Sequence, residues 1–474
     1  MSIKFFNTLT RKKEFLKPLK NKNVKMFVCG VTVQDYLHLG HARTYAFYDS
    51  LVRFLRFLGY KVTYLQNVTD VGHLLETGED RVVKKAAEEK KHPLEIANFY
   101  LKHELEMFEK LKFLKPDLMP RATEHIKEII QLVNRILENN YAYVVNGSVY
   151  FDVSKFKDYG KLSRRKPEEL IPGARVEIRE EKEDQADFAL WIKALPEHIM
   201  KWSSPWSDGY PGWHIEDTAI AMKYFGPQYD IHGGAIELVF PHHEAEIAQA
   251  EAATGIKPYV KYWIHTGLLT INKEKMSKSL GNIVRIADAL EKYSPETLRM
   301  WIASTHYRKP LDYNEKDLEV AKNKVEKIMF TLQKIRENTD KATGTRPLFL
   351  KQLETLEKQF FNAMKDDMNT PLALTNFFRI ISLTNKRIDT EKFSKKDLQK
   401  AEKIILELGE FFQIIPELRE EKLPEEIEQL IREREEAREK KDWVEADAIR
   451  AQIRKLGYIL EDTTEGVKWR KIKG

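Results

Sequence analysis

An apolar run too short for a helix, Met26 to Cys29, stops at Gly30 and is followed by a helical pattern and then a second apolar run. The helical stretch, from about Gly40 to Leu58, carries Leu51, Phe54, Leu55 and Leu58 on one face, and Gly59 ends it where a left-handed cap is usual. Val62 to Val68 then reads as a strand. An unbroken apolar strand is one buried on both faces. Strand, helix and strand in such quick succession form a crossover unit with parallel strands, so an α/β domain opens the chain.

The next stretch has a different character. Long charged helical patterns run from about Glu79 to Leu111 and from Glu124 to Asn139. Tyr141 to Val145 and Ser148 to Val153 then flank Asn146-Gly147, the dipeptide of a type I′ hairpin turn. This reads as an α+β insertion. From about Trp202 the α/β pattern resumes, with strand-like runs at Tyr229 to His232 and Tyr262 to Thr270. Beyond residue 285 the chain reads as helices. Near the end Pro424 opens a helix with Ile427, Leu430 and Ile431. Asp442 and Glu445 have the spacing of a capping box for a last helix, through Ile449 and Ile453 to Gly457. A basic tail, Lys468 to Lys473, carries Trp469.

Composition narrows the class. The 474 residues suggest about three domains. No run approaches the ~18 apolar residues of a membrane helix, and Met1 to Phe15 lacks the apolar core of a secretory signal. One cysteine excludes an intramolecular disulfide, so the cytoplasm is the expected compartment. A net charge of +6 permits a nucleic-acid partner without requiring one.

Two segments carry chemistry. His38-Leu39-Gly40-His41 falls after the first strand, at the start of its helix, where a sheet of this kind binds ligands and a helix N-terminus suits phosphate. The two imidazoles can donate to phosphate oxygens; they can equally be surface residues that cap the helix. Lys275-Met276-Ser277-Lys278-Ser279, followed by Leu280-Gly281-Asn282, makes a cationic loop able to close on a triphosphate. A metal site is a third possibility. Cys29 ends the first strand, and His242 and Glu246 share a face if their segment is helical. Against it, a lone cysteine is commonly a small buried hydrophobe, and His243 and Glu244 can be mere surface residues.

These segments resemble the HIGH and KMSKS signatures of the class I aminoacyl-tRNA synthetases. More narrowly, the chain is similar to the cysteinyl-tRNA synthetase family. The residues concerned are Phe6 to Lys12, Val28-Cys29-Gly30, Asn67 to Val71, Pro211 to Glu216, Asp230 to Gly234, Phe240 to Glu246, Asp366 to Pro371 and Trp443 to Ile449. The resemblance implies a Rossmann-like parallel-sheet catalytic domain in two halves, 1–112 and 202–284, with a connective insertion at 113–201. A helical stem-contact region at 285–340 and an all-α anticodon-binding region at 341–474 would follow.

It also implies ATP-dependent attachment of cysteine to tRNA(Cys) through a cysteinyl-adenylate, with Mg²⁺ accompanying ATP. His38, His41, Lys275 and Lys278 would be catalytic. His38, Gly40, His41, His232, Gly233, Gly234 and Lys278 would bind ATP, and Cys29, Gly30, Thr69, Trp213 and His214 would bind cysteine. One zinc ion would be held by Cys29, His242, Glu246 and, at the position where the family has cysteine, Asp217. Two further departures are Val31 and Gln34, in place of Pro and Tyr, and Tyr210, in place of Arg. A monomer without membrane contact is expected. The rivals are a ligase joining cysteine to an amino sugar, which lacks a helical C-terminal part, and a catalytically silent RNA-binding relative.

Overall fold

The computed structural model describes residues 2–72, 80–165, 181–276, 281–341, 347–390, 393–417, 424–463 and 466–471. Residues 1–416 form one compact unit and residues 417–474 a second.

The first unit begins with an antiparallel hairpin, β1 (Lys4–Asn7) and β2 (Lys12–Phe15). The expected crossover follows as β3 (Asn23–Val28), α1 (Leu39–Phe57) and β4 (Lys61–Gln66), its strands parallel. β3 starts three residues before its apolar run because Asn23 and Lys25 alternate outward where the strand is not yet sealed on both faces. The long charged helical pattern is two helices, α2 (Arg81–Glu89) and α3 (Pro93–Lys110). Lys90 turns left-handed at φ 54°, and Pro93 opens the second helix with His92 as its cap.

The insertion packs α4 (Ile126–Glu138) against an antiparallel sheet, β5 (Ala142–Val145), β6 (Ser148–Phe151), β7 (Phe188–Lys193) and β8 (Gly209–Pro211). Ile126, Ile129, Val133 and Ile136 recur at helical spacing and are buried. Asn146 and Gly147 both have positive φ, as a type I′ turn requires. The last strand lies past residue 201, inside the stretch read as the second catalytic half.

The parallel sheet is then completed by α5 (Ile215–Phe225), β9 (Tyr229–Ala235), α6 (Glu244–Thr254) and β10 (Val260–Thr266). Its order is β10-β9-β3-β4. Phe27 and Val28 stand beside His232 and Gly233 on one side and Leu65 and Gln66 on the other. The chain runs from β3 to β4 in one direction and adds β9 in the other, so the switch point lies between β3 and β9. Ligand crevices of such sheets open at the carboxyl ends there.

A small sheet follows, β11 (Leu269–Ile271), β12 (Glu274–Lys275) and, beyond α7 (Ile286–Lys292) and α8 (Pro295–Ala303), β13 (Leu311–Tyr313). Four helices close the unit: α9 (Glu315–Asn338), α10 (Pro347–Lys365), α11 (Thr370–Asp389) and α12 (Lys395–Glu410). Asn314, Asn369 and Ser394 cap three of them. Two polar nodes tie this bundle to the sheet. Buried Arg299 pairs with Asp49 of α1 and donates to the carbonyls of Leu111 and Phe412. Asp367, left-handed at φ 64°, accepts from Phe6 N at 2.8 Å, Tyr307 OH at 2.6 Å and Arg308 Nε at 2.9 Å.

The second unit pairs α13 (Glu425–Glu439) with α14 (Trp443–Lys455), capped by Asp442. The C-terminal region is helical to that point, and Gly457 stops it at φ 88°. Lys468 to Lys471 of the basic tail then fall in the second strand of a hairpin, β14 (Tyr458–Thr463) with β15 (Gly466–Lys471). No described helix is long and apolar enough to cross a membrane.

Candidate functional site

A cleft of about 730 Å³ opens at the carboxyl ends of β3 and β9, within the range of small-molecule sites. His38, Gly40 and His41 line one wall, Thr69, Trp213 and Asp217 another, Gly234 and Ala235 a third, and Met276 and Arg285 close over them.

The wall at α1 shows the capping reading of its histidines. His38 is the N-cap, its Nδ1 accepting from Gly40 N at 3.1 Å, and His41 Nδ1 accepts from His38 N at 3.2 Å. The rings stack with centroids 3.6 Å apart. A neutral imidazole that accepts at Nδ1 carries its proton on Nε2. The capping box thus fixes each histidine as an Nε2–H donor in the cleft. A Cβ on Gly40 would lie 2.9 Å from the His38 ring and 3.2 Å from Met276, so glycine alone fits. Lys275 ends the β11–β12 hairpin, where only its backbone is described, and Lys278 lies outside the described residues.

At the floor, Cys29, Asp217, His242 and Glu246 bring one ligand atom each to within 4.8 Å of the others, all buried. β3 delivers the thiol, the first turn of α5 the aspartate, and the start of α6 the histidine and glutamate, four residues apart. His242 Nε2 lies 3.0 Å from Asp217 Oδ2 and 3.3 Å from Glu246 Oε1. A second set shares Cys29 and Glu246 but substitutes His232 and His243, whose Nε2 atoms lie 3.3 and 3.1 Å from Cys29 Sγ. The sets differ in access: Asp217 and His242 face the cleft with Cys29, whereas His232 and His243 lie behind it. The first set thus has three of its four members on the cleft wall, the second one.

The electrostatics call for a cation. Burial raises the Cys29 thiol well above its ordinary range, and Asp217 and Glu246 raise it further. Burial does the same to Glu246, less the pull of His242. Both Glu246 oxygens lack a hydrogen bond although Oε1 comes within 3.4 Å of two imidazoles. Burial lowers His242, but its bond to Asp217 and the charge of Glu246 outweigh it and raise the ring above its usual range. Burial holds His232 and His265 neutral at about 3 and lowers His243 still more firmly. Thiolate, imidazole and carboxylate are zinc donors, and a divalent ion would satisfy the orphaned oxygens.

Supporting residues hold this set. His242 Nδ1 is 2.6 Å from His214 Nδ1, so a proton shared there leaves Nε2 for a cation. His214 pays for that orientation with φ 88°, a strained value outside glycine. It packs against Trp213 instead of lining the cleft. Asp217 Oδ1 accepts from Asn67, whose Nδ2 also meets Thr69 Oγ1 at 3.0 Å and whose Oδ1 receives Gly30 N at 2.7 Å. A Cβ on Gly30 would strike the Asn67 carbonyl at 1.8 Å. Of the expected ATP residues, Gly234 lines the cleft; Gly233 instead packs on the Tyr48 ring, and His232 sits among the floor imidazoles.

His243 and Glu244 are buried, which removes the surface reading of both. His243 Nδ1 meets His265 Nε2 at 2.8 Å, and His265 Nδ1 meets Thr8 Oγ1 at 2.8 Å, a chain leading away from Cys29 that the sequence reading missed. His243 and Thr8 both fall inside quoted motifs, but no local spacing announces that they meet. Val31 and Gln34 line the cleft; Tyr210 does not, stacking on His198 in the insertion.

The chain is similar to known proteins along nearly its whole length. A family model described as "tRNA synthetases class I (C) catalytic domain" matches residues 15–323. A "DALR domain" matches 359–415 and a "Cysteinyl-tRNA ligase anticodon binding domain" 420–470. "Cysteine--tRNA ligase" of Coxiella burnetii is 43% identical over 99% of this chain and 100% of its own. "Cysteine--tRNA ligase" of Thermococcus kodakarensis is 46% identical over the whole of both chains. The fold is shared with a Mycobacterium tuberculosis methionyl-tRNA synthetase bound to methionyl-adenylate, at TM-score 0.60, 16% identity and coverage of 83% of this chain and 90% of that one. With catalytic and anticodon-binding models matching in order, and relatives aligned end to end, the chain belongs to the cysteine--tRNA ligases, class I aminoacyl-tRNA synthetases.

Proposed function

We propose that this ligase charges tRNA(Cys) in two steps within the cleft, as a cytoplasmic monomer. The carboxylate of cysteine attacks the α-phosphorus of ATP, brought in with Mg²⁺, and pyrophosphate leaves. The terminal ribose hydroxyl of the tRNA then attacks the adenylate carbonyl and AMP leaves. No covalent enzyme intermediate is needed, so positioning and charge stabilisation carry the rate. His38 and His41 donate from Nε2 to the phosphates. Lys275 and Lys278 stabilise the charge that develops on the pentavalent phosphorus. Gly40 and Gly234 keep the backbone close enough for the nucleotide, and Thr69 and Trp213 wall the amino-acid end.

Cys29, Asp217, His242 and Glu246 would hold one zinc ion, a thiophilic Lewis acid that lowers a thiol pKa and prefers sulfur to the hydroxyl of serine. Shape alone separates such near-isosteres by only ~10- to 200-fold. A hard carboxylate at 217 leaves the ion less thiophilic than a second thiolate would. The observation that supports this reading most is the convergence of those four buried side chains at the floor of a cleft walled by His38 and His41. The test is charging of unfractionated tRNA with ATP and labelled cysteine beside serine. Ribonuclease-sensitive label from cysteine alone is expected; equal labelling by serine would overturn sulfur selection, and no labelling would overturn the activity.

A further inference from the structure

Cys29 lines the cleft, and two imidazoles that do not line it stand behind its sulfur. His243 Nε2 lies 3.1 Å from Sγ and His232 Nε2 lies 3.3 Å from it. Each ring is backed at Nδ1. His243 Nδ1 meets His265 Nε2 at 2.8 Å, and His265 Nδ1 meets Thr8 Oγ1 at 2.8 Å. His232 Nδ1 meets the hydroxyl of Tyr229. All five of these residues are buried. Thr8, just past β1, is pinned to β10: its N donates to Trp263 O at 2.8 Å, and Asn7 bonds Lys261 O at 2.8 Å and Trp263 N at 3.1 Å. The segment Phe6 to Lys12 thereby reaches the back of the floor from a hairpin outside the parallel sheet.

Both chains of contacts end on a hydroxyl, and a hydroxyl sets their direction. Among the described residues Thr8 Oγ1 meets no side chain but His265, so its proton is satisfied only by donation to Nδ1. His265 then carries its proton on Nε2 and gives it to His243 Nδ1. His243 in turn carries its own on Nε2, aimed at the sulfur. Burial raises Tyr229 well above its ordinary range, so it keeps its proton and donates to His232 Nδ1. The His232 Nε2–H then lies between Cys29 Sγ at 3.3 Å and Glu246 Oε1 at 3.4 Å. Each imidazole accepts on one nitrogen and donates from the other. The atoms at the receiving ends are the ones that converge for a metal. A cysteine bound to a metal is a thiolate, with no proton to give, so it needs donors in this sense and no other.

We infer that Thr8, His265 and His243, together with Tyr229 and His232, are positioning residues that hold two N–H donors against the metal-bound sulfur of Cys29 from the side away from the cleft. The inference rests on the zinc-dependent reading of the site and deepens it. A thiolate taken out of water needs replacement donors, and these supply them without occupying the cleft. Hydrogen bonds to a ligating sulfur also draw charge from it, so the ion keeps more of its Lewis acidity for the thiol of the substrate.

The test uses the full chain, loaded with zinc or with cobalt(II) in its place. His243→Phe keeps a ring and removes the N–H. Thr8→Val keeps the shape and removes the hydroxyl, and Thr8→Ser keeps the hydroxyl. Zinc affinity, measured by competition with a chelator, should fall about 10- to 100-fold in His243→Phe, fall less in Thr8→Val and stay within about twofold of the parent in Thr8→Ser. The sulfur-to-cobalt absorption band should move to longer wavelength in His243→Phe and Thr8→Val, because a sulfur with fewer donors gives up charge more readily. It should stay in place in Thr8→Ser. Parent-like affinity and band position in His243→Phe and Thr8→Val would overturn the inference. So would a loss shared equally by Thr8→Val and Thr8→Ser, or a loss with the band unmoved, either of which would mark the effect as packing. A parent chain that binds neither metal overturns the zinc reading itself; a parent that binds both beside variants that match it overturns the positioning role alone.

Discussion

At the floor of the cleft, Cys29, Asp217, His242 and Glu246 are at most 5% exposed, and every charge among them has been taken out of water. At the start of α12, Lys395 pairs with Asp340 at 2.9 Å with both side chains in solvent. Two unit charges ~4 Å apart interact by about 4 kcal/mol near protein and about 1 kcal/mol in water. The floor can therefore discriminate between ligands one atom apart, through a few strong, salt-insensitive contacts. The surface pair is weak and is screened by salt. An enzyme that must reject serine gains from placing its selecting charges at the floor.

The largest expected effect tests the floor. Asp217→Ala removes one of the four ligand atoms and the acceptor of Asn67. Zinc affinity should fall by at least the ~10- to 100-fold that loss of mere supporting contacts costs. The KM for cysteine should rise in parallel, equally at low and high salt. Metal analysis of the purified protein and pyrophosphate exchange measure the two. Full activity in metal-free protein, or unchanged cysteine affinity in the variant, would break the contrast, since the floor would then select by shape.

Arg43 sharpens the comparison, being a cation as deeply placed as the floor but without an acid. Its guanidinium donates to the carbonyls of Leu268, Tyr307 and Lys309, and burial lowers it to about 10. These bonds join α1, with His38 and His41, to β11, whose hairpin carries Lys275. Lysine keeps the charge but cannot present the planar fork. Arg43→Lys should lose about 2–3 kcal/mol of stability, at ~1.5–3 kcal/mol for each charged hydrogen bond removed. Exchange should slow about tenfold while the KM for cysteine holds. Urea unfolding and exchange kinetics check both, and a variant slowed only in tRNA binding would contradict the assignment.

Much of this was legible in the chain. The crossover unit, the Asn146-Gly147 turn and the helical pattern from Glu124 to Asn139 follow from local sequence, and all lie where the pattern puts them. Cys29 at a strand end, and His242 with Glu246 one helical turn apart, were visible as candidates because their geometry is local. The capping role of His38 and His41 follows from their place at the start of α1, and its bonds leave each Nε2 for the proposed phosphate contacts. Less legible was whatever depends on strands distant in sequence. His265 and Thr8 reach His243 from β10 and the end of β1, and no periodicity in either segment points to a histidine chain. The C-terminal hairpin escaped notice because its apolar positions, Tyr458, Leu460 and Val467 among the described side chains, are too few to stand out against the surrounding charge.

The smallest effect concerns a buried acid with no cation. Glu104 of α3 is 2% exposed and receives one bond, from Gln66 Nε2 at 3.0 Å. Gln66 Oε1 in turn accepts from Tyr64 OH at 3.0 Å. Burial raises the Glu104 carboxyl to about 8, with Gln66 opposing. The native state therefore keeps a proton there that the unfolded chain releases near the ordinary value of about 4.3. Between those values the native state binds more protons, so stability falls as pH rises. The contribution is fully present below about pH 4.3 and is lost as pH passes through about 8. Glu104→Gln, which is neutral throughout, should match the parent in acid and exceed it above pH 8 in urea midpoint. The floor would behave differently over the same range, because its carboxylates have a cation to meet. A parent whose stability does not decline relative to Glu104→Gln across that window would mean that Glu104 is ionised and paired in the native state.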